Sequence, residues 1–104
     1  MHPLIAEKLG QIQALCRRHA VARLWLIGSG AEGSSFDPSR SDVDFVVEFL
    51  PEAMSMPRHP YFDLLAEFER LLGRKVDLIS ESAIENRYFR RAVESTKVAV
   101  YAAA

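Results

Sequence analysis

The sequence predicts an α+β (α/β) fold, and three observations support that prediction. Two segments, 3–19 and 61–72, carry apolar residues at steps of three and four, which is the spacing of an amphipathic helix. Short runs rich in Val, Ile, Leu and Phe have the length and composition of strands: 22–27, 42–49 and 75–79. Glycines and prolines separate these segments, so helices and strands are expected to alternate along the chain.

The first helix is predicted over 3–19 because its apolar residues form one continuous face. They recur at steps of four, three, four and four: Ile5, Leu9, Ile12, Cys16 and Ala20. The strand 22–27 is mostly apolar, is therefore expected to be buried, and ends at Gly28. Residues 34–41 are rich in Ser, Asp and Pro, which is typical of a turn, and the second strand begins at Asp42.

The second half of the chain continues the same alternation. Residues 50–60 contain three prolines and are expected to form a connection to the second helix. Gly73 is placed to end that helix in the left-handed conformation that glycine adopts easily. Beyond the third strand, 82–85 has the pattern of a capping box that opens a last helix, and 97–101 is predicted to be a short edge strand.

Composition and charge exclude several classes of protein. Lys and Arg number 13 against 14 Asp and Glu, so a protein that mainly neutralises a nucleic-acid backbone is not expected. No apolar run approaches the roughly 18 residues that span a bilayer. The single cysteine, Cys16, cannot form an internal disulfide and lies on an apolar helix face, which indicates a packed thiol in a reducing cytoplasm. We expect one domain, 1–104, without a membrane or nucleic-acid partner.

The stretch from Gly28 to Gly33 spells G-x-G-x-x-G, the motif of a dinucleotide-binding turn. That turn needs a crossover helix, whose N-terminal amides face the pyrophosphate, before the next parallel strand. A crossover takes at least about 10–12 residues, and the segment between Gly33 and Asp42 is shorter and contains Pro38. A dinucleotide fold is therefore disfavoured, although Glu48 stands at the offset of its ribose-binding acid.

Two carboxylates open the second predicted strand. Asp42 and Asp44 point to the same face of the strand, with Cα atoms about 6.5–7 Å apart, because side chains alternate along a strand. They repel each other and raise each other's pKa, and a divalent cation removes that repulsion. Mg²⁺ suits them because it binds carboxylate oxygens while keeping places for water and phosphates. Taken alone, the pair is better explained by an Asp42 that caps a turn and an Asp44 that faces solvent.

The third predicted strand carries an acid of its own, Asp77, which could join Asp42 and Asp44 in one site. If this strand lies beside the second, three carboxylates can converge on one or two metal ions. Gly28 and Ser29, at the end of the first strand, would then offer backbone amides to the phosphates of a nucleotide.

These segments together resemble the minimal nucleotidyltransferases of the DNA polymerase β superfamily: Gly28-Ser29, the strand 41–49 with its two aspartates, and 73–79 with Asp77. The resemblance covers nearly the whole chain and implies a polymerase β-like fold, a small mixed β-sheet flanked by helices. It also implies transfer of a nucleoside monophosphate from a nucleoside triphosphate to an acceptor hydroxyl, with Mg²⁺. Many minimal members are antitoxins paired with a HEPN-domain ribonuclease toxin, which is silenced when AMP is attached to one of its tyrosines.

The resemblance assigns roles to residues by position. Asp42 and Asp44 would bind both metal ions and the triphosphate, and Asp77 would complete the acceptor-side metal and help accept the hydroxyl proton. Gly28 and Ser29 would hold the β- and γ-phosphates. The expected protein is thus a cytoplasmic, Mg²⁺-dependent transferase, with two metal ions, that moves AMP from ATP to a HEPN toxin.

The chain also departs from the pattern that it resembles. Many relatives have Arg where this chain has Glu32, and the loop 33–41 is a couple of residues longer than the commonest form. Arg40 could replace the missing cation, although a solvated loop arginine is the better account of it. A second function therefore stays open, in which catalysis is weak and the antitoxin neutralises its toxin by stoichiometric binding.

Basic residues gather near the end of the chain, on the last helix and just beyond it: Arg87, Arg90, Arg91 and Lys97. A solvated basic face explains them, and so does a docking surface for an acidic patch on a partner.

Overall fold

A mixed sheet with helices on both faces is the framework of the protein. The structure is a computed structural model that describes residues 1–32, 37 and 42–104. Its strands are β1 (Val21–Ile27), β2 (Val43–Phe49), β3 (Val76–Ser80) and β4 (Val98–Ala102). Its helices are α1 (Pro3–Ala6), α2 (Leu9–Arg18), α3 (Gly28–Glu32), α4 (Tyr61–Leu72) and α5 (Arg87–Thr96), with 3₁₀ turns at Pro51–Ser55 and Glu81–Ala83.

The strands lie in the order β3-β2-β1-β4. β1 runs antiparallel to β2 and to β4, whereas β2 and β3 are parallel. The predicted small mixed sheet flanked by helices is therefore confirmed, and β4 lies at an edge as expected. Because β2 returns antiparallel to β1, the chain after Gly28 makes no parallel crossover, and the glycine motif does not open a dinucleotide-binding unit.

The two faces of the sheet carry cores of different size. Helices α2 and α4 cover the larger core, in which the rings of Phe45 and Phe68 lie with centroids 5.0 Å apart. On the opposite face, α5 covers a smaller cluster of buried residues: Ile27, Val46, Ile84 and Val93. Asp44 lies two residues before Val46 in β2, and residues two apart share a face of a strand. The aspartate therefore stands on the face with the smaller core.

The helix predicted over 3–19 is two helices, α1 and α2, separated by a turn at Glu7 and Lys8. The amide of His2 hydrogen-bonds the carbonyl of Gly30 at 2.9 Å, and the side chain of Ile5 is fully buried. These contacts anchor α1 against α3 and the core, so its direction is set by tertiary packing and not by α2. Ala20, predicted to lie on the same helical face, has φ +56° and follows the helix.

The last helix begins later than predicted. The expected capping box at 82–85 is wrong, because Glu81–Ala83 forms a 3₁₀ turn and Asn86 caps α5. The side chain of Asn86 accepts hydrogen bonds from the amides of Tyr88 and Phe89, at 2.9 and 3.0 Å. Ile84 is buried in the smaller core, and the backbone of Ile84 and of Asn86 is extended. The helix therefore starts only after Asn86.

Other predictions for the second half of the chain are confirmed. Helix α4 has the predicted bounds, 61–72, and Gly73 ends it with φ +65°. Strand β3 begins and ends one residue later than predicted. The predicted turn at 34–41 lies outside the described residues except for Asp37. No helix in the described part of the chain has both the length and the apolar character needed to cross a membrane.

Cys16 is fully buried in the larger core, as predicted, and burial raises the pKa of its thiol to about 12. We expect the native protein to react with a disulfide reagent at pH 8 at least about 100-fold more slowly than the chain unfolded in guanidinium. The thiol ionises more easily in the unfolded chain than in the native protein. Its ionisation should therefore lower the free energy of unfolding as pH rises from 9 toward 12. Absorbance of the released thiolate measures the rate, and rapid labelling of the native protein would contradict the packing described.

Candidate active site

Four charged residues form a two-by-two array where β2 and β3 begin. Asp44 lies directly beside Asp77 in the parallel ladder. One step earlier, the amide of Val43 donates to the carbonyl of Lys75 at 3.2 Å, so Asp42 and Lys75 continue the pairing just before β2 and β3. Since alternate residues share a face, three acids and one base stand on the same face of the sheet.

Contacts between these side chains are direct. The carboxyl groups of Asp44 and Asp77 are neighbours, and the interaction between them raises the pKa of Asp44. The ammonium of Lys75 lies 3.9 Å from Oδ2 of Asp42 and 3.9 Å from Oδ1 of Asp77. The structure thus brings the three predicted aspartates close to one another, and it adds a lysine that had no role in the predicted site. The signal for that lysine was its place two residues before Asp77, on the same face of the predicted strand.

The surroundings of Asp44 raise the pKa of its carboxyl group. Partial burial raises its pKa from 3.8 to about 6, together with the hydrogen bond to Asp77 and repulsion from Asp77 and Asp42, while Lys75 opposes the shift. A carboxylate in this position gains from any added positive charge, because a cation relieves both the repulsion and the loss of hydration.

Gly28 touches the same carboxylate from the end of β1. Its φ is +71°, and a Cβ atom built on it would lie 2.8 Å from Oδ2 of Asp44. Ile27, the residue before it, pairs with Asp44 in the sheet. A glycine is therefore required at this point on both conformational and steric grounds, and it is followed by Ser29 in the first turn of α3. The sequence did not predict α3, whose five residues include two glycines and show no helical periodicity.

A cavity of about 360 Å³ opens between the sheet and α5, with Gly28 and Asp44 on its wall. The other lining residues are mostly apolar: Ile27, Ile79, Phe89, Ala92, Val93 and Thr96. Such a cleft, apolar with a few polar groups at one end, is typical of a small-molecule site. No sequence pattern predicted this cleft, because the cleft forms only where α5 packs on the sheet.

The chemistry of the array suits a hard divalent cation, since all three acids offer carboxylate oxygens. However, no group of three His, Cys, Asp or Glu side chains is already arranged around an ion in the described residues. The ammonium of Lys75 stands between two of the acids instead, and its side chain is 67% exposed. The oxygens of the three acids are of the kind that Mg²⁺ binds, and metal binding would require the exposed side chain of Lys75 to turn aside and the carboxylates to close around the ion.

The basic residues of the last helix are partly engaged within the chain. Arg90 donates to the side chain of Glu81 at 2.7 Å and to the carbonyl of Ile84 at 2.9 Å. Lys97 pairs with Glu94 at 2.9 Å and lies over the ring of Trp25. Arg87 and Arg91 are exposed, so the predicted docking surface rests on these two.

The structure describes only some of the residues at which this chain departs from the pattern that it resembles. Glu32 is exposed at the end of α3. Arg40, considered as a replacement cation, and the residues of the loop other than Asp37 lie outside the described residues, as does Gly33.

Acids where two neighbouring strands begin, next to a Gly-Ser turn on a mixed sheet, are the pattern of a nucleotidyltransferase. The family model described as polymerase beta, nucleotidyltransferase, matches residues 10–103. The chain therefore belongs to the polymerase β nucleotidyltransferase family, and the predicted relationship is confirmed.

Several known proteins are similar to this chain. A Methanocaldococcus jannaschii protein, provisionally named a protein adenylyltransferase, is 32% identical over 103 residues, which cover 90% of this chain and 99% of the relative. The structure of a provisionally assigned minimal nucleotidyltransferase superposes with a TM-score of 0.73 at 27% identity, over 94% of this chain and 95% of that one.

Two solved toxin–antitoxin structures share the fold. One contains AMP-PNP, with a TM-score of 0.68 at 18% identity over 91% of this chain and 73% of that chain. The other is a tri-AMPylated Shewanella oneidensis HEPN toxin in complex with an MNT antitoxin, with a TM-score of 0.64 at 15% identity over 94% of this chain and 72% of that chain.

Proposed function

We propose that this chain is a Mg²⁺-dependent protein adenylyltransferase that moves AMP from ATP to a tyrosine hydroxyl of a partner HEPN toxin, and so acts as its antitoxin. The observation that carries the proposal is the gathering of Asp42, Asp44 and Asp77 beside the backbone of Gly28. The name of the M. jannaschii relative supports the reaction, and the AMPylated complex supports the class of acceptor.

Each residue has a definite task in this proposal. Asp42 and Asp44 hold the metal ions and, through them, the triphosphate, while the turn at Gly28 and Ser29 receives the β- and γ-phosphates. Asp77 takes the proton of the acceptor hydroxyl, whose oxygen bonds to the α-phosphorus as the bond to the β-phosphate oxygen breaks and pyrophosphate leaves. When bound, Mg²⁺ would neutralise the negative charge that develops during the transfer.

The acceptor is proposed to be a protein because the chain has little surface with which to enclose a second small molecule. The cleft under α5 is open on one side, and aromatic residues of that helix are exposed beside it, with Tyr88 68% and Phe89 40% accessible. An acceptor side chain carried on another protein can reach Asp44 and Asp77 from this side.

A second candidate is an antitoxin with weak or no catalysis that neutralises its toxin by stoichiometric binding. Two observations favour it: Glu32 places negative charge in α3, next to the turn at Gly28 and Ser29, and the ammonium of Lys75 lies between Asp42 and Asp77. Both features oppose binding of the metal–nucleotide complex.

One experiment separates the two candidates. The purified chain is mixed with its cognate HEPN protein, Mg²⁺ and ATP labelled in the α-phosphate, and the products are examined by autoradiography and intact mass. We expect label on the HEPN protein at a tyrosine, with loss of toxin activity, and neither with the double variant Asp42→Asn and Asp44→Asn. Equal neutralisation by both proteins without transfer of label would refute the enzymatic function and support the binding function.

A further inference from the structure

Lys75 is the cation held within the acid array, and its position is fixed by the backbone. Its carbonyl accepts the amide of Val43, and the next amide, that of Val76, donates to Oε2 of Glu69 in α4 at 3.1 Å. The Cα of Lys75 is therefore held from both sides, in line with Asp77 and across from Asp42.

The side chain of Lys75, in contrast, is largely exposed and only loosely held. It is 67% exposed, and its ammonium contacts Asp42 and Asp77 at 3.9 Å each, which is at the outer limit of an ion pair. Such contacts are weak and easily exchanged for water or for another cation. An ammonium and a divalent ion are both attracted to the same carboxylate oxygens, and their mutual repulsion disfavours simultaneous binding.

We propose that Lys75 is the resident counter-ion of the metal-free site, that a divalent cation must displace its ammonium to bind, and that Lys75 thereby sets the metal concentration at which the site fills. This inference rests on the metal site of the proposed function. It concerns occupancy of the site by metal and does not require that the chain transfers AMP.

The expected size of the effect follows from the charges involved. An ammonium a few ångströms from a divalent ion opposes binding of that ion even in water, but an exposed side chain recovers part of this cost by turning outward. The net effect is expected to be about a 3- to 10-fold weakening of metal affinity in the wild-type protein.

The test uses Mn²⁺ as a spectroscopic substitute for Mg²⁺, with the isolated full chain and no nucleotide or partner. Binding is followed by the electron paramagnetic resonance signal of free Mn²⁺ at constant ionic strength. Lys75→Met should bind Mn²⁺ about 3- to 10-fold more tightly than wild type, whereas Lys75→Arg, which keeps the charge, should stay closer to wild type.

Arg74→Met is the matched control because it removes the same charge one residue earlier. The guanidinium Nε of Arg74 donates to the carbonyl of Leu72, and the alternation of side chains directs Arg74 away from the acid face. Equal tightening in both variants would show a general effect of net charge and would overturn the inference. An unchanged or weaker affinity in Lys75→Met, or no Mn²⁺ binding by either protein, would overturn it as well.

Thermal unfolding gives a second readout. Without metal, Lys75→Met should unfold at a lower temperature than wild type, because the acids lose their counter-ion, and saturating Mn²⁺ should raise its Tm by more than it raises that of wild type. An equal shift in both proteins would overturn the inference. Loss of AMP transfer alone would refute the proposed function and leave these metal measurements intact, so the two ideas fail separately.

Discussion

Asp44→Asn is expected to lower AMP transfer by at least about 100-fold, or about 2.7 kcal/mol of barrier, without destabilising the protein. The loss follows because Asp44 lies next to both Asp77 and Gly28, where the proposal places the phosphates. The unchanged or higher stability follows because burial and its neighbours raise the pKa of Asp44 to about 6. A group whose pKa is raised on folding is costly to keep ionised, so at neutral pH a neutral amide removes an unfavourable charge.

Transfer rate and Tm, measured on the same preparation, test this pair of expectations. Asp63→Asn is the matched control, because Asp63 is an exposed acid at the start of α4 that pairs with Arg58 at 3.2 Å. It should retain wild-type transfer. If Asp44→Asn keeps its activity, or loses activity only because it unfolds, Asp44 is not part of the reacting site.

Gly28→Ala is expected to reduce transfer by about 100-fold, because the new methyl group would displace the carboxylate of Asp44 or the turn itself. A Cβ atom at this position would lie 2.8 Å from Oδ2 of Asp44, so either the carboxylate or the turn must shift. A shift of about 1 Å is enough to cost 100-fold in a group that positions reactants. The left-handed backbone, with φ +71°, adds about 1 to 2 kcal/mol of strain to the folded state.

Gly73→Ala separates these two effects. Gly73 has φ +65°, close to that of Gly28, but a Cβ atom there would meet no atom within 4 Å. The variant should therefore lose a similar free energy of unfolding while keeping its transfer activity, when both are measured below the Tm of the two variants. Equal activity in the two alanine variants would show that the close approach of Gly28 to Asp44 has no catalytic role.

Much of the site was visible in the sequence because its residues obey the simple period of a strand. Asp42 and Asp44 share a face by alternation, and Asp77 stands at the corresponding place in the next apolar run. The bounds of α4 were equally accessible, since an uninterrupted apolar face ends at a glycine that adopts φ +65°. Local patterns of this kind need no knowledge of the rest of the fold.

The remaining features depend on contacts between distant segments. The sequence pattern favours Ser82 as the N-cap of α5, but burial of Ile84 delays the helix so that Asn86 caps it instead. The counter-ion Lys75 becomes recognisable only once β2 and β3 are known to be parallel and in register. The cleft under α5 likewise arises from helix-to-sheet packing, which no single stretch of sequence specifies.

The unequal cores on the two faces of the sheet have a consequence for how this protein can change. Most of the buried apolar residues belong to the side closed by α2 and α4, whereas the acid array and α5 stand on the other side. Most of the packing that stabilises the fold and the proposed surface for partner recognition therefore lie on opposite sides of the sheet. Substitutions in the exposed positions of α5 can adapt the protein to a different target while the architecture beneath persists.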